Sequence, residues 1–201
     1  MRRFIATIIT ALAFAASVQA APVIGKAAPE FTAMDAISGK PVSLSSLKGK
    51  TVVLEWNNFG CPFIKKFYSV GAMQKFQESA KKDDVVWVSI NSSAKGKEGN
   101  FATAADAKAM LVTQKSAAAH YLLDADGKIG HAYEAKTTPH MYVIDKAGTL
   151  VYMGAIDDKS SADSADIATA KNYVSEALAA LKAGAPIKTA STQSYGCFVK
   201  Y

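Results

Sequence analysis

Cys61 stands where an apolar stretch gives way to a helix, a position that can make a thiol reactive. Residues 51–56 read as a buried strand, a short turn ends at Gly60, and Pro62 opens the helix. Proline suits the first helical position because an N–H there would have no intrahelical partner anyway. The cysteine then lies just outside a helix N-terminus, where free N–H groups and the helix dipole favour a thiolate. The chemistry expected of Cys61 is nucleophilic redox exchange.

Its neighbours in sequence suggest supporting roles. Lys65 lies one helical turn beyond Cys61, with Lys66 beside it. Cations in a first turn oppose the helix dipole, so helix stability gives them no reason to be there; holding an anion at Cys61 would. A solvated lysine pair is the plainer reading. Glu55 sits six residues before Cys61 inside an otherwise apolar strand. Burial would raise its pKa by desolvation, whereas an edge-facing glutamate would behave ordinarily. Asn58 can offer its side-chain amide to an oxygen or sulfur on Cys61. His140 reads as a strand histidine, and His120 and His131 have no motif partner.

The elements around these residues define the rest. Within 201 residues, the first twenty have a basic start at Arg2 and Arg3, an apolar run and a small-residue end at Ala20. That is the pattern of a cleaved signal peptide, so the chain is expected to be exported, periplasmic or secreted. No later segment approaches eighteen consecutive apolar residues, so no stable membrane insertion is expected after cleavage. Both cysteines, Cys61 and Cys197, lie beyond residue 20, and an even count in an oxidising compartment raises the prior for a disulfide. Without Arg2 and Arg3 the cations are 21 lysines, scattered among 17 carboxylates. No basic run alternates with aromatics, which argues against a nucleic-acid partner.

Residues 31–34 and 41–44 flank a Ser38-Gly39-Lys40 turn, predicting an N-terminal hairpin. The helix from Pro62 is expected to run to about residue 80, and residues 85–90 form a continuous apolar strand. Thr103 is the expected N-cap of a helix to about residue 115. Residues 121–124 read as a short strand and 129–135 as a helical turn or two. Residues 140–144 and 149–153 form a hairpin around Asp145-Lys146-Ala147-Gly148. A last helix spans 164–183, followed by a linker-like stretch over 187–194. Strands alternating with helices indicate an α/β fold with a mixed sheet. One domain is expected over 21–186, with a tail over 187–201 carrying Cys197.

This order, with a cysteine after the first core strand, resembles the thioredoxin superfamily. Ala28-Pro29-Glu30-Phe31 followed by Gly39-Lys40-Pro41-Val42 is similar to the opening of its peroxiredoxin and redoxin branch. Thr137-Thr138-Pro139-His140 resembles the cis-proline loop of thioredoxin folds. The resemblance implies that Thr138 and Pro139 face the cysteine and that Glu55 relays protons to it. It also implies a thioredoxin-like fold: a central mixed sheet flanked by helices, opened by the hairpin.

Two departures bear on the activity implied. Thioredoxins carry a second cysteine three residues after the first, where this chain has Ile64, so one-site dithiol exchange is excluded. Peroxiredoxins carry a threonine three residues before the cysteine, where this chain has Asn58, and a distant arginine. The sequence has no arginine after Arg3, and a lysine supplies charge without the planar fork of donors. Cys197 has three readings: a resolving cysteine, as in several peroxiredoxins; a structural staple worth about 4–5 kcal/mol in the chain-entropy model; or a free or intermolecular thiol.

The resemblance thus implies a peroxiredoxin-like antioxidant thiol oxidoreductase, with Cys61 attacking a peroxide or protein disulfide. An external thiol reductant would complete the cycle, with no cofactor and no resident metal. Two alternatives stand beside it. One is a copper-binding module using Cys61 with Cys197, His140 or Met141, although the paired-cysteine copper motif is missing. The other is a non-catalytic scaffold.

Overall fold

The computed structural model describes residues 21–201; the signal-peptide expectation falls on residues 1–20, outside them. A seven-stranded mixed sheet has the order β2-β1-β5-β4-β3-β7-β8. Its strands are β1 (Thr32–Asp35), β2 (Pro41–Ser43), β3 (Thr51–Trp56), β4 (Val85–Asn91), β5 (His120–Leu123), β7 (Met141–Ile144) and β8 (Leu150–Gly154). Strands β3, β4 and β5 run parallel, and β7 runs antiparallel to β3. The expected hairpins β1–β2 and β7–β8 are both present.

All six residues of β3 are buried. A strand alternates its side chains between faces, so Val53 and Glu55 look one way while Val52, Leu54 and Trp56 look the other. The first face packs against helices α1 (Pro62–Tyr68), α2 (Ala72–Lys82), α3 (Ala104–Thr113) and α5 (Tyr173–Lys182) through Ile64, Phe67, Met73, Leu111 and Val174. The second face is covered by Phe31, Leu44 and the short helix α4 (Lys128–Ala132). A strand buried on both sides needs apolar residues at nearly every position, which is why β3 reads as a continuous run. Leu54 is fully buried, and truncating it to alanine would cost about 2–5 kcal/mol.

Two helices differ from expectation. The segment from Pro62 is not one helix to residue 80: it breaks between α1 and α2 at Gly71, whose φ of 74° is left-handed. Glycine takes that conformation without a Cβ penalty, so Gly71 is the joint between two helices. The last helix starts at Tyr173, not Ser164, because Asn172 caps it by accepting from the Ser175 N–H at 2.8 Å. Ser164–Ala168 is a separate 3-10 turn. The Thr103 cap is as expected and forms a reciprocal box with Asp106.

The C-terminal stretch is docked rather than linker-like. The Met153 N–H donates to the Ala190 carbonyl and the Thr192 N–H to the Met153 carbonyl, both at 3.1 Å. Further on, β9 (Cys197–Phe198) pairs antiparallel with β6 (Thr137–Thr138) as a separate two-stranded sheet. Tyr201 stacks on His131 with ring centroids 4.1 Å apart and donates to the Ala135 carbonyl. Composition did not show this because the partners, among them Met153 and Thr138, are distant in sequence.

Candidate active site

The site forms at the carboxyl end of β3, where open α/β sheets place their reactive groups. Cys61 is the N-cap of α1: its carbonyl accepts from the Ile64 and Lys65 N–H groups, and Pro62 occupies the first helical position. Because β7 is antiparallel to β3, the loop preceding β7 arrives beside Cys61. The Trp56 N–H donates to the His140 carbonyl at 2.9 Å, fixing that approach. The Thr138–Pro139 bond is cis, and the Thr138 carbonyl lies 3.1 Å from Cys61 Sγ. Thr138 therefore contributes its backbone; its own hydroxyl is buried without a hydrogen-bond partner among the described residues.

Thr138 is also the register partner of Cys197. One residue thus serves both sulfurs, and Cys61 Sγ and Cys197 Sγ lie 2.6 Å apart. A disulfide bond is about 2.05 Å long, so only a small approach separates the two thiols from a bond. Cys61 is 2% exposed, while Cys197 is half-buried and covers it. The Cys197 thiol is pushed up to about 12, first by desolvation and then by its hydrogen bond with Cys61 and that sulfur's charge. Burial and the neighbouring sulfur thus favour the neutral thiol at Cys197.

Glu55 is fully buried on the Cys61 side of the sheet. Trp87 Nε1 and Ser89 Oγ donate to its Oε2 at 2.8 and 2.9 Å, and Asn57 Nδ2 donates to Oε1 at 3.0 Å. The Tyr68 hydroxyl of α1 completes the cluster at 3.2 Å. Burial pushes the carboxyl up, and the hydrogen bonds from Asn57, Trp87, Ser89 and Tyr68 work against that rise. The acid joins β3 and β4 to the helix that carries Cys61, but no direct hydrogen bond links it to Cys61 among the described residues.

The Asn58 amide does not reach Cys61. It donates to Ser93 Oγ at 3.3 Å and the Glu98 carbonyl at 3.0 Å, occupying the space a Cβ on Gly99 would need. The Asn58 backbone carbonyl instead accepts the Cys61 N–H at 3.0 Å. Lys65 is exposed, and its side chain has no ion pair or hydrogen bond among the described residues. The solvated-pair reading fits Lys65 but not its neighbour Lys66. The Lys66 side chain is completely buried, donating to the Lys159 carbonyl at 2.8 Å and facing Asp157 Oδ2 at 3.5 Å. The signal available was the helical spacing: Lys66 follows Phe63 by three residues, on the same side of the helix, and lies next to the buried Phe67.

His140 points to the opposite sheet face from Cys61, its ring tilted against Tyr142 with centroids 4.6 Å apart and its Nδ1 3.1 Å from the Tyr142 hydroxyl. Met141 is buried in the core on the Cys61 side. Alternation along the strand separates these two candidate copper ligands. Among the described residues no cluster of three His, Cys, Asp or Glu side chains could hold a metal ion.

The cysteine at a helix start, the cis-proline loop against it and the redoxin-type hairpin agree with the sequence comparison. The pattern of the family described as Redoxin matches residues 24–171. The chain belongs to the Redoxin family. No curated protein matches the sequence. Among solved structures, this Redoxin-family chain is similar to an uncharacterized conserved protein from Geobacillus kaustophilus, with 26% identity, a TM-score of 0.73, and 89% of this chain and 92% of the other covered. A hypothetical protein from Sinorhizobium meliloti 1021 has 24% identity and a TM-score of 0.72, with 89% and 94% covered. The thioredoxin domain of a thiol-disulfide oxidoreductase from Bacteroides vulgatus has 23% identity and a TM-score of 0.51, with 65% and 87% covered, and shares the fold. No helix among the described residues is long and apolar enough to cross a membrane.

Proposed function

We propose that this Redoxin-family chain is an exported thiol oxidoreductase with a two-cysteine cycle, in which Cys61 attacks and Cys197 resolves. The observation that supports it is the 2.6 Å separation of the two sulfurs beside the Thr138 carbonyl. With a hydroperoxide, the Cys61 thiol takes the terminal oxygen to give a sulfenic acid and an alcohol. The Cys197 thiol then attacks that sulfur, forming the disulfide and releasing water. With a substrate disulfide, Cys61 forms a mixed disulfide and expels one thiol, and Cys197 displaces the second. In either case an external dithiol returns both cysteines to thiols and leaves as its own disulfide.

The exposed half of the pair is Cys197, so the returning reductant has an accessible sulfur. The Asn58 amide is engaged elsewhere and no arginine follows residue 3, which favours a disulfide substrate over a peroxide. Export rests on the sequence of residues 1–20. The test is to mix reduced protein with hydrogen peroxide or with a small aromatic disulfide and follow oxidation by stopped-flow fluorescence and intact mass. Faster loss of two hydrogens with the disulfide supports this substrate class; fast sulfenic acid formation with peroxide assigns peroxidase activity instead.

A further inference from the structure

Two residues before Cys197, Tyr195 donates its hydroxyl to Asp157 Oδ1. Asp157 is buried on both its oxygens: Oδ1 also accepts the Lys159 N–H at 2.9 Å, and Oδ2 has no hydrogen bond and faces the Lys66 ammonium at 3.5 Å. The same ammonium lies 5.5 Å from the centre of the Tyr195 ring, within cation–π range. The ring also meets Phe63 edge-on at 5.8 Å. Phe63 and Lys66 belong to α1, the helix that Cys61 caps. The cluster therefore joins the element carrying the attacking sulfur to the segment carrying the second one. Only Gly196 intervenes, and its φ of 133° lets the backbone pass the Thr138 carbonyl, where a Cβ would sit 2.2 Å away.

We infer that Tyr195, anchored on the buried Lys66–Asp157 pair, is a positioning residue that holds Cys197 in bonding range of Cys61. This rests on the two-cysteine cycle proposed above and identifies what gives that cycle its proximity. Nothing about local folding requires a buried lysine and aspartate here, since an apolar pair of similar volume is often as stable or more so. A charged anchor does something an apolar one does not. It fixes the Tyr195 hydroxyl in one direction, and with it the register of β9 on β6. Resolution then becomes an intramolecular step between positioned groups.

The reaction that reads this is Cys61–S–S–Cys197 + 2 glutathione ⇌ two protein thiols + glutathione disulfide. The reciprocal of its equilibrium constant is the effective concentration of Cys197 toward Cys61. The full protein, Tyr195→Phe and a control, Leu111→Ala, would be equilibrated in glutathione buffers and quenched by alkylation for mass analysis. Leu111 is buried in α3, away from the cluster. Tyr195→Phe keeps the ring and removes the hydrogen bond to a charged acceptor, so the effective concentration is expected to fall about tenfold. Leu111→Ala lowers the melting temperature and leaves the equilibrium unchanged. An unchanged equilibrium in Tyr195→Phe overturns the inference while the cycle stands. A wild-type protein that forms no reversible Cys61–Cys197 disulfide overturns the cycle and the anchor with it.

Discussion

The Thr138 carbonyl lies 3.1 Å from Cys61 Sγ, and Thr138 is also the residue against which Cys197 pairs. The cis-proline loop is thus the common reference for both sulfurs. Cys61→Ser is expected to abolish oxidant-driven turnover. Cys197→Ser should still react once and then accumulate a sulfenic acid or mixed disulfide, detectable by mass after dimedone or thiol trapping. Equal turnover in Cys197→Ser and wild type would contradict the resolving role.

Gly196 is where the tail crosses that loop. Gly196→Ala places a Cβ against the Thr138 carbonyl in a backbone conformation that alanine rarely adopts. A cost of about 1–3 kcal/mol is expected, concentrated in the β6–β9 pairing. Hydrogen exchange should show the Val199 N–H losing protection before the amides of β3 do, because that N–H is bonded to Lys136 across the small sheet.

The two adjacent lysines should behave oppositely. Lys65→Ala removes an exposed charge and is expected to change stability by less than about 0.5 kcal/mol. Lys66→Ala leaves Asp157 buried without its counter-charge and is expected to cost about 3–5 kcal/mol. Urea denaturation distinguishes them.

Much of this was legible in the sequence because it is local. Cys61-Pro62 marks a helix start, Thr103 and Asp106 mark a cap, and Thr137-Thr138-Pro139 resembles a known loop. The break at Gly71 was missed because one glycine fits an apolar helical stripe as well as it fits a left-handed joint. The burial of Lys66 and the Asn58 hydrogen bonds depend on partners at Asp157, Lys159, Ser93 and Glu98, 35 or more residues distant. The tail looked like a linker because its partners, such as Met153, Asp157 and Thr138, lie more than 35 residues away in sequence.

His140 provides a test of burial by pH. Desolvation, with a smaller contribution from Lys136, lowers its pKa to about 4 from 6.5. The unfolded chain therefore binds the proton first, and stability is fully present above pH 6.5 and lost as pH falls toward 4. The loss is up to about 3 kcal/mol for a shift of this size. His140→Asn is expected to flatten that slope between pH 6.5 and 4 in urea titrations.

Glu55 has the opposite sign. Its folded pKa is raised, chiefly by burial, so the folded protein holds the proton more tightly, and stability from this group falls as pH rises above the unfolded value. The stability advantage of wild type over Glu55→Gln should shrink from pH 4 to pH 8. An advantage that grows with pH would mean that the carboxyl is better stabilised as an anion in the folded state.

The most direct test is the state of the two cysteines in protein purified without reductant. Differential alkylation and intact mass would be read before and after one equivalent of oxidant, and again after a mild dithiol. The account predicts a Cys61–Cys197 disulfide that forms with oxidant, loses two hydrogens from the intact mass, and reopens fully in the dithiol. A disulfide already present that resists the dithiol would make the pair a structural staple and contradict the redox cycle.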